Sequence, residues 1–254
     1  MHLMMKPTVL ITNDDGYFSP ALAALIEAAE KEWEVVVSVP DRNRSAVGRS
    51  VSLEMPIRVR PVSKNVFATS GTPVDCVCYA LGILLKEPPV LVLSGINIGA
   101  NLGTDVLSSG TVAGAIEGYM RGIPAIAISQ EDKGDYKASA ELAVDLGKKL
   151  IENKALTGNA VVLNVNTPND HFSQARFTKL GEREYDYEVV HRVDPRGKGY
   201  FWIGGGSIKK VPVEGSDCNA LIDGVASITP IQLDMTDYDE LSLWVLEKEL
   251  GFFD

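Results

Sequence analysis

Val9-Leu10-Ile11-Thr12-Asn13-Asp14-Asp15-Gly16, with Ser19-Pro20 just beyond, decides how the chain is built. Val9–Thr12 is a short apolar run with β-branched residues, suited to a buried strand. Ser19 is placed to cap a helix with Pro20 at its first position, and Leu22, Leu25, Ile26 and Ala29 recur at helical spacing. A strand, a charged turn and a helix in immediate succession open a βαβ unit.

Outward from this stretch the alternation continues. Glu34–Val39, Val90–Leu93, Ala125–Ile128 and Ala160–Val165 read as strands. Helices are expected from Thr72-Pro73 to about Leu85, over Thr111–Arg121 and over Tyr136–Ile151. Pro40–Ser50 is a polar stretch, Val51–Val62 an extended segment broken by Pro56, and Ser94–Gly110 a glycine-rich loop. The pattern predicts an α/β fold, a parallel sheet with helices on both faces and right-handed crossovers, over residues 1–170. Past Thr167-Pro168-Asn169 the character changes. Tyr185–Val193 and Gly199–Ile203 flank Asp194-Pro195-Arg196-Gly197 as a long hairpin, Val225–Ile228 is a late strand, and a final helix runs from Asp237 to about Leu250. Residues 171–254 therefore read as an extension of one domain. Tyr185, Tyr187, Tyr200, Phe201 and Trp202 are more aromatic surface than a lone hairpin buries, so it is expected to pack on a second subunit. Leu241, Trp244, Val245, Leu246, Leu250, Phe252 and Phe253 are expected at the same contact.

Composition narrows the partners. The 254 residues carry 24 Lys and Arg against 34 Asp and Glu, a net charge of −10, which argues against polymeric nucleic acid. No apolar stretch is long enough for a membrane span, and the start lacks a secretory signal. Three cysteines without Cys-x-x-Cys spacing argue against a disulfide framework and a zinc ribbon and make the cytoplasm the expected compartment. Having only 3 histidines argues against a multi-histidine metal centre as well.

The chemistry gathers where strands end, the place where open parallel sheets bind ligands. Asp14 and Asp15 are adjacent carboxylates leaving a buried strand, which is costly unless something neutralises them. Gly16 permits the turn that aims both at one place, and because Ser19 already serves as helix cap, a metal ion is the favoured reading. The Pro40–Ser50 loop can meet the first loop and offer a serine hydroxyl. Gly95, Gly99 and Gly103 lack the dinucleotide spacing, and no Walker sequence is present. What remains is Ser108-Ser109-Gly110-Thr111 at a helix start, where backbone N–H groups, hydroxyls and the positive helix end converge on a phosphate. Two carboxylates, a hydroxyl and an amide carbonyl are hard oxygen donors, fit for Mg²⁺, Mn²⁺ or Ca²⁺ and, beside a phosphate cradle, for phosphoester hydrolysis.

Five blocks in order then carry a resemblance: Asn13-Asp14-Asp15-Gly16; Pro40-Asp41-Arg42-x-Arg44-Ser45-Ala46-x-Gly48-x-Ser50; Ser70-Gly71-Thr72-Pro73-x-Asp75; Ser94-Gly95-Ile96-Asn97-x-Gly99-x-Asn101-x-Gly103; and Ser109-Gly110-Thr111-Val112-x-Gly114-Ala115. Asp194-Pro195-Arg196-Gly197 with Tyr200-x-Trp202, and Ser227-Ile228-Thr229-Pro230, continue it, so that it covers about residues 8–231. The chain resembles the survival protein SurE family of metal-dependent 5′-nucleotidases. The resemblance implies a Rossmann-like core and a carboxyl-terminal part that exchanges elements between protomers in a homodimer or homotetramer. It implies one divalent ion per subunit, Mg²⁺ or Mn²⁺, on Asp14, Asp15, the Ser45 hydroxyl and Asn97, with Asn101, Ser108, Ser109, Gly110 and Thr111 facing the phosphate. It also implies a nucleoside 5′-monophosphate substrate, with 3′-monophosphates and short polyphosphate as further ones. The expected mechanism is direct attack of water on phosphorus, with Asp14 or Asp15 taking the proton and Asn101 holding phosphoryl oxygens. A non-catalytic nucleotide sensor with the same phosphate loop is the alternative from another class. A haloacid-dehalogenase-type phosphatase would want Asp-x-Asp, and Asp14-Asp15 lacks the spacer.

Overall fold

A computed structural model describes residues 6–131, 133–169, 171–204 and 207–249, with side chains through Val245. Leu246, Leu250, Phe252 and Phe253, named above for a subunit contact, lie outside the described side chains.

The first strand, β1 (Thr8–Thr12), splits its neighbours by its alternation: Val9 and Ile11 face one layer, Leu10 the other. It lies between β2 (Glu34–Pro40) and β5 (Leu91–Ile98), parallel to both. The outer strands β3 (Val59–Ser63) and β4 (Val66–Thr69) form an antiparallel pair beside β2. On the other side β5 leads to β6 (Ala125–Gln130) and β7 (Val162–Thr167), all parallel. Late chain completes this edge: β13 (Ala226–Ile231) runs antiparallel to β7, and β8 (Ala175–Phe177) pairs parallel with β13. The nine-stranded order is β3-β4-β2-β1-β5-β6-β7-β13-β8.

Helices cover both faces. Leu22 and Leu25 of α1 (Pro20–Glu30) and Ala140 and Ala143 of α4 (Lys137–Thr157) pack with Val9, Ile11, Val37 and Leu93. Val77 of α2 (Pro73–Tyr79) and Val112 and Ala115 of α3 (Gly110–Met120) pack with Leu10, Val36 and Val92. The small face of α3 sets its depth. A Cβ on Gly114 would stand 2.8 Å from Ser94 Oγ and Thr12 Cγ2, and one on Gly118 would stand 2.6 Å from Val92 Cγ2. The helix therefore lies almost on the sheet, which brings its N-terminus to the carboxyl ends of β1 and β5.

Several expectations are corrected. Ser94–Gly110 is not all loop: after an irregularity between Ser94 and Asn97, β5 resumes pairing with β6, Asn97 opposite Ser129, and Gly103–Leu107 forms a 3₁₀ turn. The helix expected to reach Leu85 ends as α-helix at Tyr79 and continues as a wider π turn over Ala80–Leu84, where Leu85 N–H bonds Ala80 O. In Val51–Val62 only the last residues are strand. The long hairpin is divided: β10 (Val189–Val193) pairs with β11 (Gly199–Ile203), whereas β9 (Glu182–Tyr185) pairs with β12 (Ile208–Val211). Helices α5 (Asp217–Ile222) and α6 (Tyr238–Glu249) complete the described chain.

Candidate active site

Three loops meet over the carboxyl ends of β1, β2 and β5, and each is pinned locally. Asn13 staples the first, accepting from Gly16 N–H at 3.1 Å and donating to Gly16 O at 3.0 Å. Gly16 adopts φ +89°, and a Cβ there would strike the Arg42 backbone at 2.8 Å, so the turn depends on glycine. Ser19 does sit at the helix N-cap, but its hydroxyl makes no cap hydrogen bond and is buried without a partner. The acids are thus not spared for metal by a serine cap; their partners are Thr111, Asn43 and Ile98.

Asp14 is buried, with 3% exposure. Its Oδ2 accepts from Thr111 N–H at 3.1 Å and its Oδ1 from the Thr111 hydroxyl at 2.5 Å. Burial pushes this carboxyl above the ordinary carboxylate range, against the pull of the Thr111 and Gly110 donors. The positive end of α3 is therefore spent on Asp14, not turned to open solvent. Asp15 is half-buried. Its Oδ1 accepts from Asn43 Nδ2 at 3.2 Å and its Oδ2 from Ile98 N–H at 3.1 Å. Burial lifts its carboxyl to about 6; the Ile98 N–H draws it down and the Asp14 charge adds to the rise.

These bonds tie the expected ligands together. Asn43 Oδ1 accepts from Ser45 N–H at 2.8 Å, so the same side chain that holds Asp15 shapes the turn bearing the exposed Ser45. Asn97, next to Ile98, donates its Nδ2 to Gly99 O at 2.6 Å, which leaves its carbonyl oxygen as the group available to a cation. Arg44 N–H bonds Asp14 O at 2.7 Å. Farther along, Gly48 N–H bonds Ser108 O at 2.9 Å, and Arg49 pairs with the buried Glu117 of α3 at 2.6 Å. Asp75 accepts from Ser52 N–H and hydroxyl at 2.9 and 2.7 Å and forms a capping box with Thr72. Burial raises its carboxyl, but these donors outweigh that and leave it below its ordinary value. Asp75 anchors the loop's far end and is not turned to the acids.

The phosphate-facing set divides. Ser108 is exposed, its hydroxyl on Asp105 O at 3.2 Å. Ser109 is buried and caps α3, accepting from Val112 N–H at 3.1 Å. Gly110 packs on Asp14, and Thr111 holds it. Asn101 is fixed from both sides: its Nδ2 bonds Ser129 Oγ at 2.9 Å, its N–H bonds Asn166 Oδ1 at 2.7 Å, and its carbonyl accepts from Asn164 and Asn166 at 2.8 and 3.0 Å. Sequence reasoning missed Asn43, Glu117, Asn164 and Asn166. Two signals were present: Asn43 stands two residues before Ser45, as in an Asx turn, and Asn164-x-Asn166 puts two amides on one face of a buried strand.

The donor set fits a hard divalent cation. Two carboxylates, both raised by burial, have no lysine or arginine partner among the described ion pairs, and the neighbouring donors are neutral oxygens. Among the described residues no group of three or more His, Cys, Asp or Glu side chains is placed to hold a metal. The free cysteines are elsewhere, and burial pushes the Cys76 thiol up to about 12, a packing residue and not a nucleophile.

A pH signature follows. A carboxyl raised in the folded state costs stability above its unfolded value, the cost growing as pH rises from 3.8 to about 6 and then holding constant. In chelator, Asp15→Asn is expected to be more stable than the parent chain at pH 7.5, with the gap closing by pH 4; urea titrations at both pH values measure it, and a gap of opposite sign refutes the account.

The model of the survival protein SurE family matches residues 9–187. The 5′-nucleotidase SurE of Geotalea uraniireducens (strain Rf4) is 45% identical over 240 residues, covering 92% of this chain and 96% of that one. The 5′-nucleotidase SurE of Vibrio vulnificus (strain CMCP6) is 41% identical over 250 residues, 94% of this chain and 96% of that one. In three dimensions the chain is similar to the SurE protein from Aquifex aeolicus, with a TM-score of 0.79 and 39% identity, over 95% of this chain and 100% of that one.

Proposed function

The chain belongs to the SurE family, and from that premise we propose that it is a 5′-nucleotidase, a divalent-cation-dependent hydrolase releasing phosphate from nucleoside 5′-monophosphates. We extend the substrate range to 3′-monophosphates and short polyphosphate. The observation that carries the metal-dependent reading is Asp15: one carboxylate linked at once to the Ser45 turn through Asn43 and to the Asn97 strand end through Ile98. Asp14, Asp15, Ser45 and Asn97 would hold one Mg²⁺ or Mn²⁺. Such an ion supplies charge to a phosphoryl oxygen and makes a nucleophile of water at neutral pH.

The chain's own residues do the rest. Thr111 at the start of α3 holds the Asp14 carboxyl in place. Asp15, the more exposed carboxylate, takes the proton from the attacking water. Asn101 and Ser108 face the phosphoryl oxygens, with Ser109, Gly110 and Thr111 setting the helix start behind them. The direct test is phosphate release from a panel of 5′- and 3′-monophosphates and polyphosphate, with Mg²⁺, Mn²⁺ or chelator. Release restored by metal supports the proposal; nucleotide binding without release under every condition would make the protein a sensor instead.

We also propose a homodimer or homotetramer and, with three free cysteines, a cytoplasmic location. Among the described residues no helix is long and apolar enough to cross a membrane. Among the described residues the β10–β11 hairpin pairs only with itself, yet Phe201, Trp202 and Ile203 are 66%, 65% and 77% exposed, apolar surface that a second copy would cover. Trp202→Lys is expected to lower the mass measured by light scattering; a parent chain already monomeric at micromolar concentration refutes the assembly.

A further inference from the structure

The segment joining Asn101 to Ser109 takes its shape from one buried carboxylate. Asp105 Oδ2 accepts from Leu102 N–H at 3.3 Å and from Arg183 Nη1, and its Oδ1 accepts from the Tyr185 hydroxyl. Its backbone carbonyl accepts from Ser108 N–H and Ser109 N–H, both at 3.0 Å, and from the Ser108 hydroxyl at 3.2 Å. Both side-chain donors come from β9 in the late part of the chain. Arg183 lies 5.5 Å over the Tyr185 ring, and its Nη1 also reaches Ala100 O at 3.4 Å, beside Asn101. Asp217 of α5 adds a second tie, accepting from Gly103 N–H at 2.9 Å and from Gly181 N–H at 2.7 Å.

We propose that Tyr185 and Arg183 are positioning residues for phosphate recognition, acting through Asp105 to hold the segment that presents Asn101, Ser108 and the start of α3. The inference rests on the phosphatase reading above. With both carboxylate oxygens occupied from one strand, Asp105 cannot rotate, and its carbonyl fixes the two serine N–H groups at the helix entry. Burial, and then Asp105 itself, push the Tyr185 phenol upward, so it remains a proton donor across the working pH range. Without the phenol hydroxyl, Oδ1 is free to turn toward water and the 3₁₀ turn loosens. None of the four expected cation ligands lies between Asn101 and Ser109, and Asp14 keeps its own bonds to Thr111, so the loss is expected to fall first on phosphate.

Tyr185→Phe removes one oxygen and keeps the ring beneath Arg183. Its KM for nucleoside monophosphate and its dissociation constant for inorganic phosphate by calorimetry are expected to rise about tenfold, the order expected for one lost hydrogen bond to a charged group. Its kcat and the Mn²⁺ concentration for half-maximal activity are expected to stay within about twofold of the parent's. Arg183→Lys, which keeps a charged donor, is expected to lie between the parent and Arg183→Met in phosphate affinity. Unchanged phosphate affinity in Tyr185→Phe and in Arg183→Met overturns the inference, even if both melt earlier, because the role is then structural only. An equal shift in metal requirement overturns it as well. Calorimetry needs no turnover, so failure of the nucleotidase reading shows separately, as a parent chain that binds phosphate but releases none from nucleotides.

Discussion

Replacing Asp14 with Asn is expected to lower turnover at least about a thousandfold at saturating Mg²⁺ or Mn²⁺, because a neutral amide neither balances a divalent ion nor helps it activate water. The fold should tolerate the change. Asn is isosteric with Asp, its carbonyl can keep the Thr111 N–H bond, and its amide can donate to the Thr111 hydroxyl, which accepts as readily as it donates. The desolvation that pushes the Asp14 carboxyl upward disappears in the neutral side chain, so the melting temperature in chelator should not fall. Phosphate release, metal titration and thermal unfolding on one preparation check all three points. Parent-like turnover would reject the metal-dependent scheme.

The second large effect is expected at Gly110. A Cβ there would stand 2.8 Å from Asp14 Cβ, 2.9 Å from Asp14 Oδ2 and 3.1 Å from Val47 Cγ1. Asp14 lies two residues past the buried strand β1, in a turn stapled by Asn13, and has little room to retreat. Gly110→Ala should therefore displace the carboxylate, cost about 1–3 kcal/mol of stability by overpacking and reduce kcat/KM about a hundredfold by misplacing a catalytic group. Gly82→Ala is the control: its Cβ would meet nothing within 4 Å, and both quantities should stay near parent values. Steady-state kinetics and urea titration read the contrast, and a Gly110→Ala enzyme as active and stable as the control would disprove the packing argument.

Much of this was legible in the residues because the signals are local. The run Val9–Thr12 alternates between two helix layers as a doubly covered strand must, and Asp14-Asp15 leaving it is anomalous without a counter-charge. What stayed hidden is long-range. Thr111 reads from sequence as a phosphate-facing hydroxyl, but its N–H and hydroxyl both close on Asp14, 97 residues away, and spacing along the chain carries no trace of that. Ser109 reads from sequence as part of a phosphate cradle, whereas the structure gives its hydroxyl to Val112 N–H as a helix cap. Strands β4, β8, β9 and β12 were missed because each is only three or four residues long, too short for alternation to stand out.

The arrangement of the last sheet edge also dictates an order of assembly. Strand β8 is synthesised before β13 but gains its place in the main sheet only through it, and until β13 arrives the flank of β7 is an open row of backbone donors and acceptors. A nascent chain halted before Ala226 can shape the βαβ layers yet must leave that edge unsealed, so closure waits until β13 has left the ribosome. Slow completion and a window of vulnerability to aggregation are therefore built into the topology, and carboxyl-terminal truncations should act on yield before they act on chemistry.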